Sequence, residues 1–396
     1  MPFSLYLLAL AVFAMGTSEF MLAGLVPDIA ADLGVGIGAT GLLTSAFAVG
    51  MIVGAPLMAA VARNWPARAG LLGFVILFLA AHIAGAVTGS FGVLVATRVV
   101  AAFANAGFLA VALTTAAGLV PPGHKGRALA VLLSGTALAT VAGVPGGALL
   151  GAMLGWRATF WAVAVVCVPA ALGVLAGIPG RMRGGGDLGG PDLRAELTPL
   201  RRPRLVVVMV LGALVNAATF GSFTFLAPLV TGPAGLGALW VPVALVLFGA
   251  GSFAGVTVAG RLSDDRPGAV VAVTGPLLCA GWFALAAFAD RPVALLVLVF
   301  AQGALSFALG STVIARVLYE AADAPTMAGA YATAALNIGA AVGPAVAALS
   351  LATGLGELGP VRVGGVLVAV ALLLAARFRQ VLGAGTEIPE SEPANR

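Results

Sequence analysis

Apolar residues run along this chain in blocks close to the ~20 that cross a bilayer as a helix, and polar residues gather between the blocks. Charge, Gly and Pro divide them into twelve predicted spans, at residues 4–27, 38–61, 69–88, 91–118, 128–150, 158–178, 205–230, 238–260, 269–289, 293–315, 326–352 and 362–378. The stretch from Gly180 to Arg204, GRMRGGGDLGGPDLRAELTPLRRPR, is polar, Gly-rich and basic, and it parts six spans from six. The halves repeat weakly. AVGMIVGAPL (Ala48 to Leu57) shares its Gly spacing with GAGSFAGVTV (Gly249 to Val258), and GVPGG (Gly143 to Gly147) sits where GPAVA (Gly343 to Ala347) sits in the second half. The pattern predicts an all-α polytopic membrane protein with two six-helix bundles, 1–179 and 205–380, a cytoplasmic linker at 180–204 and a disordered cytoplasmic tail at 381–396.

Composition sharpens this. Of the 396 residues, 61% are hydrophobic and 9% charged, where a soluble chain carries about 25% charged residues; the solvent around most of the surface is therefore lipid. The N-terminal run lacks a basic n-region and continues past Glu19 to Pro27, so it reads as a retained first span and not a signal peptide. Cys167 and Cys279 lie in apolar runs with no neighbouring His or Cys, which indicates neither a disulfide framework nor a metal site. The net charge of +5 comes from bases in short loops, forms no patch on a folded domain, and gives no reason to expect nucleic acid. With the N-terminus in the cytoplasm, only Arg157, Arg291 and Arg362 of the 20 bases fall outside, and Arg98 alone lies within a span. The positive-inside rule then places both termini in the cytoplasm.

Glu19 is the one acid clearly inside a span, at a cost of roughly 2.5–3.5 kcal/mol on insertion scales. It lies roughly 12 Å from the outer end of span 1, and Arg98 roughly 10 Å from the outer end of span 4, at 1.5 Å per residue. The two are expected at similar height as a proton-coupling pair, since an intramembrane acid is by default a functional residue. Asn105 is two turns beyond Arg98, on nearly the same face. Asn216, Gln302 and Asn337 lie in spans 7, 10 and 11, where each amide can bond a substrate or hold a neighbouring helix. Phe20, Phe103, Phe220 and Phe223 can offer apolar surface to an aromatic ligand or simply pack. His82, near the outer end of span 3, is a weaker candidate for a proton relay, and His124 falls in a loop. A GxGxxG within Gly34 to Gly41 follows no strand and is discarded as a dinucleotide site. No HExxH, P-loop or nucleophile elbow occurs, so no cofactor, metal or enzymatic activity is expected.

These residues resemble the major facilitator superfamily, specifically its twelve-span drug:proton antiporter branch, over about residues 1 to 380. LVATRVVAAFANAGF (Leu94 to Phe108) looks like the fourth-span motif and puts Arg98 at its proton-linked arginine. GVPGGALLGAMLGWRATFW (Gly143 to Trp161) looks like the fifth-span antiporter motif, in which Gly143, Pro145, Gly146, Gly147 and Gly151 kink the helix and allow close packing. GRLSDDRP (Gly260 to Pro267) resembles the gating loop after span 8, with Gly260, Asp264 and Arg266. The matching loop after span 2 keeps Arg63 and Arg68 but lacks the expected Asp. GTSEFMLAGL, GLLTSAFAVGM, ANAGFLAVAL and YATAALNIGAA are similar to segments of actinomycete chloramphenicol-resistance permeases. The resemblance implies two pseudo-symmetric bundles around a cavity lined mainly by spans 1, 4, 7 and 10. It also implies export of a small amphiphilic drug of the chloramphenicol type against protons, conferring antibiotic resistance. A monomer is expected. The alternative is an exporter of a sugar or other metabolite on the same fold; a membrane-embedded enzyme would need clustered catalytic groups near one interface, and a channel would not need repeated halves.

Overall fold

The computed structural model describes residues 2–62, 65–121, 125–179, 198–263, 267–321, 323 and 328–378. Among them twelve helices are long and apolar enough to cross a membrane: spans 1 to 12 at Phe3–Gly24, Ile37–Ala55, Ala67–Val87, Phe91–Leu113, Ser134–Leu154, Trp156–Gly177, Pro203–Thr224, Trp240–Ala259, Gly268–Ala287, Pro292–Glu320, Tyr331–Leu351 and Gly356–Arg377. Each falls on a predicted apolar run. Most of the expected linker and the whole expected tail lie outside the described residues; the helix of span 7 starts at Pro203, within the stretch expected to be linker.

Spans 1, 5 and 7 break near a proline, which lacks the N–H for its turn and crowds the carbonyl four residues back. Span 1 is α-helical over Phe3–Phe20, tightens to 3-10 over Met21–Gly24, and is followed by a short helix, Val26–Leu33, with Pro27 in its first turn. Span 7 ends at Thr224, and a second short helix, Leu226–Thr231, carries Pro228. In span 5 the helix widens to π over Ala139–Gly143 and resumes as α over Val144–Leu154 with Pro145 in its first turn. The expected kink at Pro145 is thus a π segment, a form that recurs at functional sites.

Two apolar cores organise the helices. One gathers buried residues from Leu5 to Ile178; the other runs from Leu205 to Ala371 and takes in Ala23, Val144 and Ala148 from the first half. The weak repeat appears as equivalent packing. Gly50 and Gly54 of span 2 leave room for Ala102 and Phe103 of span 4, while Gly251 and Gly255 of span 8 leave room for the backbone of span 10 at Phe300 and Ala304. Gly143 of span 5 likewise meets Thr17 of span 1, and Gly343 of span 11 meets Ala217 of span 7. Small residues at these crossings let the backbones approach closely.

At the membrane face opposite Pro2, called the distal face below, the halves are joined by a separate apolar cluster. Val26, Phe225 and Ala347 are its buried members, with Ile37, Ala348 and Leu351 packed against them. The Phe225 ring lies on Gly41 of span 2, across the division between halves.

Candidate functional site

Ser18, Glu19 and Phe20 are the last three residues of the α-helical part of span 1. At 3.6 residues per turn they point about 100° apart. Ser18 turns into the first half, where Arg98 Nη1 donates to its Oγ at 2.7 Å and Arg98 Nη2 donates to its backbone O at 2.7 Å. Arg98 is 1% exposed, and its guanidinium also lies over the Phe47 ring, 4.6 Å from the centroid. A cation buried this deeply needs such partners, yet its Nε–H has none. The Ser18 hydroxyl is also 2.7 Å from His82 Nε2, and His82 Nδ1 is 2.8 Å from the Phe78 carbonyl. His82 is packed between the rings of Phe78 and Phe160.

Glu19, next in the chain, is partly exposed. Arg98 is the charged group that acts on it, but the ion pairs among the described residues do not include these two. The expectation of similar height fits the contact between Arg98 and Ser18.

Phe20 turns the other way, into a narrow cavity. Phe20, Thr140 and Val144 line it from spans 1 and 5. Thr219, Phe220 and Phe223 line it from span 7, Leu245, Phe248, Gly249 and Ser252 from span 8, and Phe307 from span 10. Phe20 and Phe220 have centroids 5.5 Å apart, Phe220 and Phe223 6.4 Å, Phe223 and Phe248 4.8 Å, and Phe248 and Phe307 6.2 Å, a continuous aromatic wall. This cavity shares spans 1, 7 and 10 with the expected lining by spans 1, 4, 7 and 10, and adds spans 5 and 8. Spans 5 and 8 meet at this level, with Gly249 against the Thr140 carbonyl.

The amides expected at the substrate each donate a hydrogen bond within the protein. Asn105 donates to Met51 Sδ at 3.7 Å, Asn216 to the Leu336 carbonyl at 2.6 Å, and Asn337 to Thr333 of its own helix at 3.0 Å. Gln302 donates to the Leu278 carbonyl at 3.2 Å and borders a second, smaller cavity with Ser222, Trp282 and Val361 inside the second half. Phe103 packs against Gly54 and does not line the aromatic cavity. Of the loop residues, Arg63, Asp264 and Arg266 lie outside the described residues. Arg68 is partly exposed in the first turn of span 3, and Gly260 lies in the last turn of the helix of span 8. Of the fifth-span motif, Gly147 faces Thr159, Gly151 faces Leu25, and Gly146 faces open space.

Ser18, Phe248 and Phe307 were not singled out from the sequence. Ser18 adjoins the intramembrane acid, which was a usable signal; the two phenylalanines resemble the many others in apolar runs. The Trp156-Arg157 pair that follows the motif also has a role visible here. Trp156 Nε1 donates to Asp32 at 3.2 Å, Arg157 pairs with the same carboxylate, and Arg157 Nη2 donates to the Thr88 carbonyl at 3.0 Å. Span 6 is thereby tied to the helix after span 1 and to the end of span 3. The Arg157 guanidinium, then the Trp156 indole, hold the Asp32 carboxyl below its usual value.

The profile described as Major Facilitator Superfamily matches residues 8–344. The chain is 72% identical over 382 residues to a chloramphenicol resistance protein of Streptomyces lividans, covering 96% of this chain and 97% of that one. It is 31% identical to an uncharacterized MFS-type transporter, YtbD, of Bacillus subtilis, over 95% of each chain. Among solved structures, an inward-facing bacterial homologue of the human lysosomal transporter Spinster superposes with a TM-score of 0.76 at 17% identity, over 96% of each chain.

Proposed function

The chain belongs to the major facilitator superfamily, a family of multi-pass membrane transporters and not of enzymes, and from that premise we propose that it exports chloramphenicol-type drugs in exchange for protons. Transport runs by alternating access across the bacterial cytoplasmic membrane, with both termini in the cytoplasm and the distal face outside. The two halves, 1–179 and 205–380, act as the rocking bodies, and a single chain suffices.

The observation that carries this reading is the order Ser18, Glu19, Phe20. One residue holds Arg98, the next is a partly exposed acid, and the third forms the wall of the aromatic cavity. A proton site and a ligand site therefore share one turn of helix. In the proposed cycle, drug enters from the cytoplasm and rests against Phe20, Phe220 and Phe223 while Glu19 is charged. After the halves rock, a proton from outside neutralises Glu19 and drug leaves. The return step exposes Glu19 inward, where the proton is released. The kinship to a named chloramphenicol resistance protein supports the drug.

A sugar is a poorer fit. Hydroxyl-rich ligands leave buried polar groups unpaired unless the site supplies matching partners, and this cavity offers five phenylalanines with only Thr140, Thr219 and Ser252 as side-chain hydroxyls. In inverted vesicles, adding chloramphenicol to the wild type should drive proton movement, and Glu19→Gln should abolish that movement while leaving the protein in the membrane. Undiminished antiport by Glu19→Gln would sink the proposal.

A further inference from the structure

Arg98 is held by an oxygen whose orientation a second residue decides. A carbonyl can only accept, so the 2.8 Å contact between His82 Nδ1 and the Phe78 carbonyl requires the proton on Nδ1. In the neutral ring Nε2 is then bare and accepts from the Ser18 hydroxyl at 2.7 Å. With its hydrogen turned to His82, the Ser18 oxygen presents its lone pairs to Arg98 Nη1, also at 2.7 Å. The hydrogen bonds therefore run one way, from Arg98 to Ser18 to His82. Ser18 is 0% exposed, and His82 and Arg98 are each 1% exposed, so water does not compete for these partners.

We propose that His82 is a positioning residue for proton coupling: it fixes the Ser18 hydroxyl so that Arg98 is held on Ser18 and off the neighbouring Glu19 carboxylate. The proposal rests on the proton-coupled reading above and adds a determinant to it. Arg98 has a reason to leave, since its Nε–H is buried without an acceptor and Glu19 is its charged neighbour. His82 supplies the opposing bias. Of the titratable groups on the helices packed around it, those beside Ser18 are Glu19 of span 1 and Arg98 of span 4. From span 6, Arg157 is about 4.5 Å and Cys167 about 10 Å along the axis from the contacting Phe160. Arg157 is engaged with Asp32. A protonated His82 would place a second donor and a second positive charge against the same oxygen, so the chain works with His82 neutral.

Two measurements test this on the full-length protein in liposomes. The first is the ¹⁵N spectrum of histidine-labelled His124→Asn protein, in which His82 is the sole histidine. A neutral Nδ1–H ring that does not titrate between about pH 6 and 8, with an Nε2 resonance that moves in Ser18→Ala, is expected. An Nε2–H ring, or a resonance indifferent to Ser18→Ala, overturns the proposal. The second is the pH profile of chloramphenicol-linked proton exchange. Without the His82 acceptor, Arg98 is freer to pair with Glu19, which favours the charged carboxylate. His82→Ala and Ser18→Ala should both move the half-maximal pH about one unit toward acid. His82→Gln, whose amide oxygen reaches near the Nε2 position, should stay with the wild type. A His82→Ala profile superimposed on the wild type overturns the proposal even if its maximal rate falls, because misfolding lowers rate without moving pH dependence. If the wild type moves no protons with drug, the earlier reading fails and takes the coupling role with it, while the histidine spectrum still decides whether His82 fixes the Ser18 hydroxyl.

Discussion

A fully buried guanidinium in an apolar bundle is stable only if protein replaces its hydration. Arg98 receives two oxygens from Ser18 and the face of Phe47, which is enough to hold it but leaves Nε–H unpaired. That incomplete satisfaction suits the change of partner proposed for Arg98. Asp32 is the contrasting case, an acid pinned outside the membrane by Arg157 and Trp156. Its carboxyl titrates below the ordinary 3.8, so the stabilisation it gives is complete above that value and is lost as pH falls through the depressed one. Both side chains are more than a third exposed, so the effect is small and screened by salt. Asp32→Asn should flatten the fall in melting temperature on acidification below 3.8, and equal slopes for the two proteins would refute the role given to the pair. The charged residues of the site were legible from sequence because a charge inside an apolar run is conspicuous by itself. Ser18 and His82 were less so because their meaning depends on contacts 80 and 64 positions away. Asn105, Asn216, Gln302 and Asn337 show the same limit from the other side. A polar amide in a span serves a ligand or a helix, and only the neighbours tell which; here each donates within the protein.

Helices were legible because twelve apolar runs of the right length leave the backbone no other way to satisfy its hydrogen bonds in lipid. Their interruptions were only half legible. Pro145 announces a distortion, but whether the helix kinks or widens depends on what fills the gap, and here a π segment over Ala139–Gly143 lets span 5 carry Thr140 to the cavity. The breaks after Phe20 and Thr224 pair spans 1 and 7 as structural equivalents, a correspondence stronger in shape than in letters. The motif glycines can be separated by the same reasoning. A methyl group on Gly143 would strike the Thr17 side chain, whereas one on Gly146 would meet nothing within 4 Å. Overpacking of this kind costs about 1–3 kcal/mol, while an added methyl in open space removes a flexible backbone position at no steric cost. Gly143→Ala should therefore lower the melting temperature in detergent and reduce drug resistance in cells, and Gly146→Ala should preserve both. Equal sensitivity at the two positions would show that the motif acts through something other than the crossing of spans 1 and 5.

At the level of the whole molecule, the proposed alternating access requires that the aromatic cavity open to one side at a time. The halves are sealed at the distal face by Val26, Phe225 and Ala347, below which Ala48, Ala340 and Ala341 continue the contact with Ile52 and Phe220 packed against them. The clustered side chains carry no charge, so they can part without stranding one, and their strength depends on fit. Gly41 supplies that fit, since a Cβ there would overlap the Phe225 ring, which is 1% exposed and has little room to turn. Gly41→Val should penalise the distally closed state and leave a distally open one untouched. A differential of about 1–3 kcal/mol corresponds to roughly 5- to 150-fold in the ratio of states. A cysteine placed at Thr219, on the cavity wall, reports the change when cells are treated with a membrane-impermeant maleimide. With the distal face outward, Gly41→Val should raise the labelling rate several-fold over the Thr219→Cys background, and chloramphenicol should slow the labelling by occupying the cavity. Labelling as slow as the background would mean that Phe225 and Gly41 do not form the barrier between the cavity and the distal side.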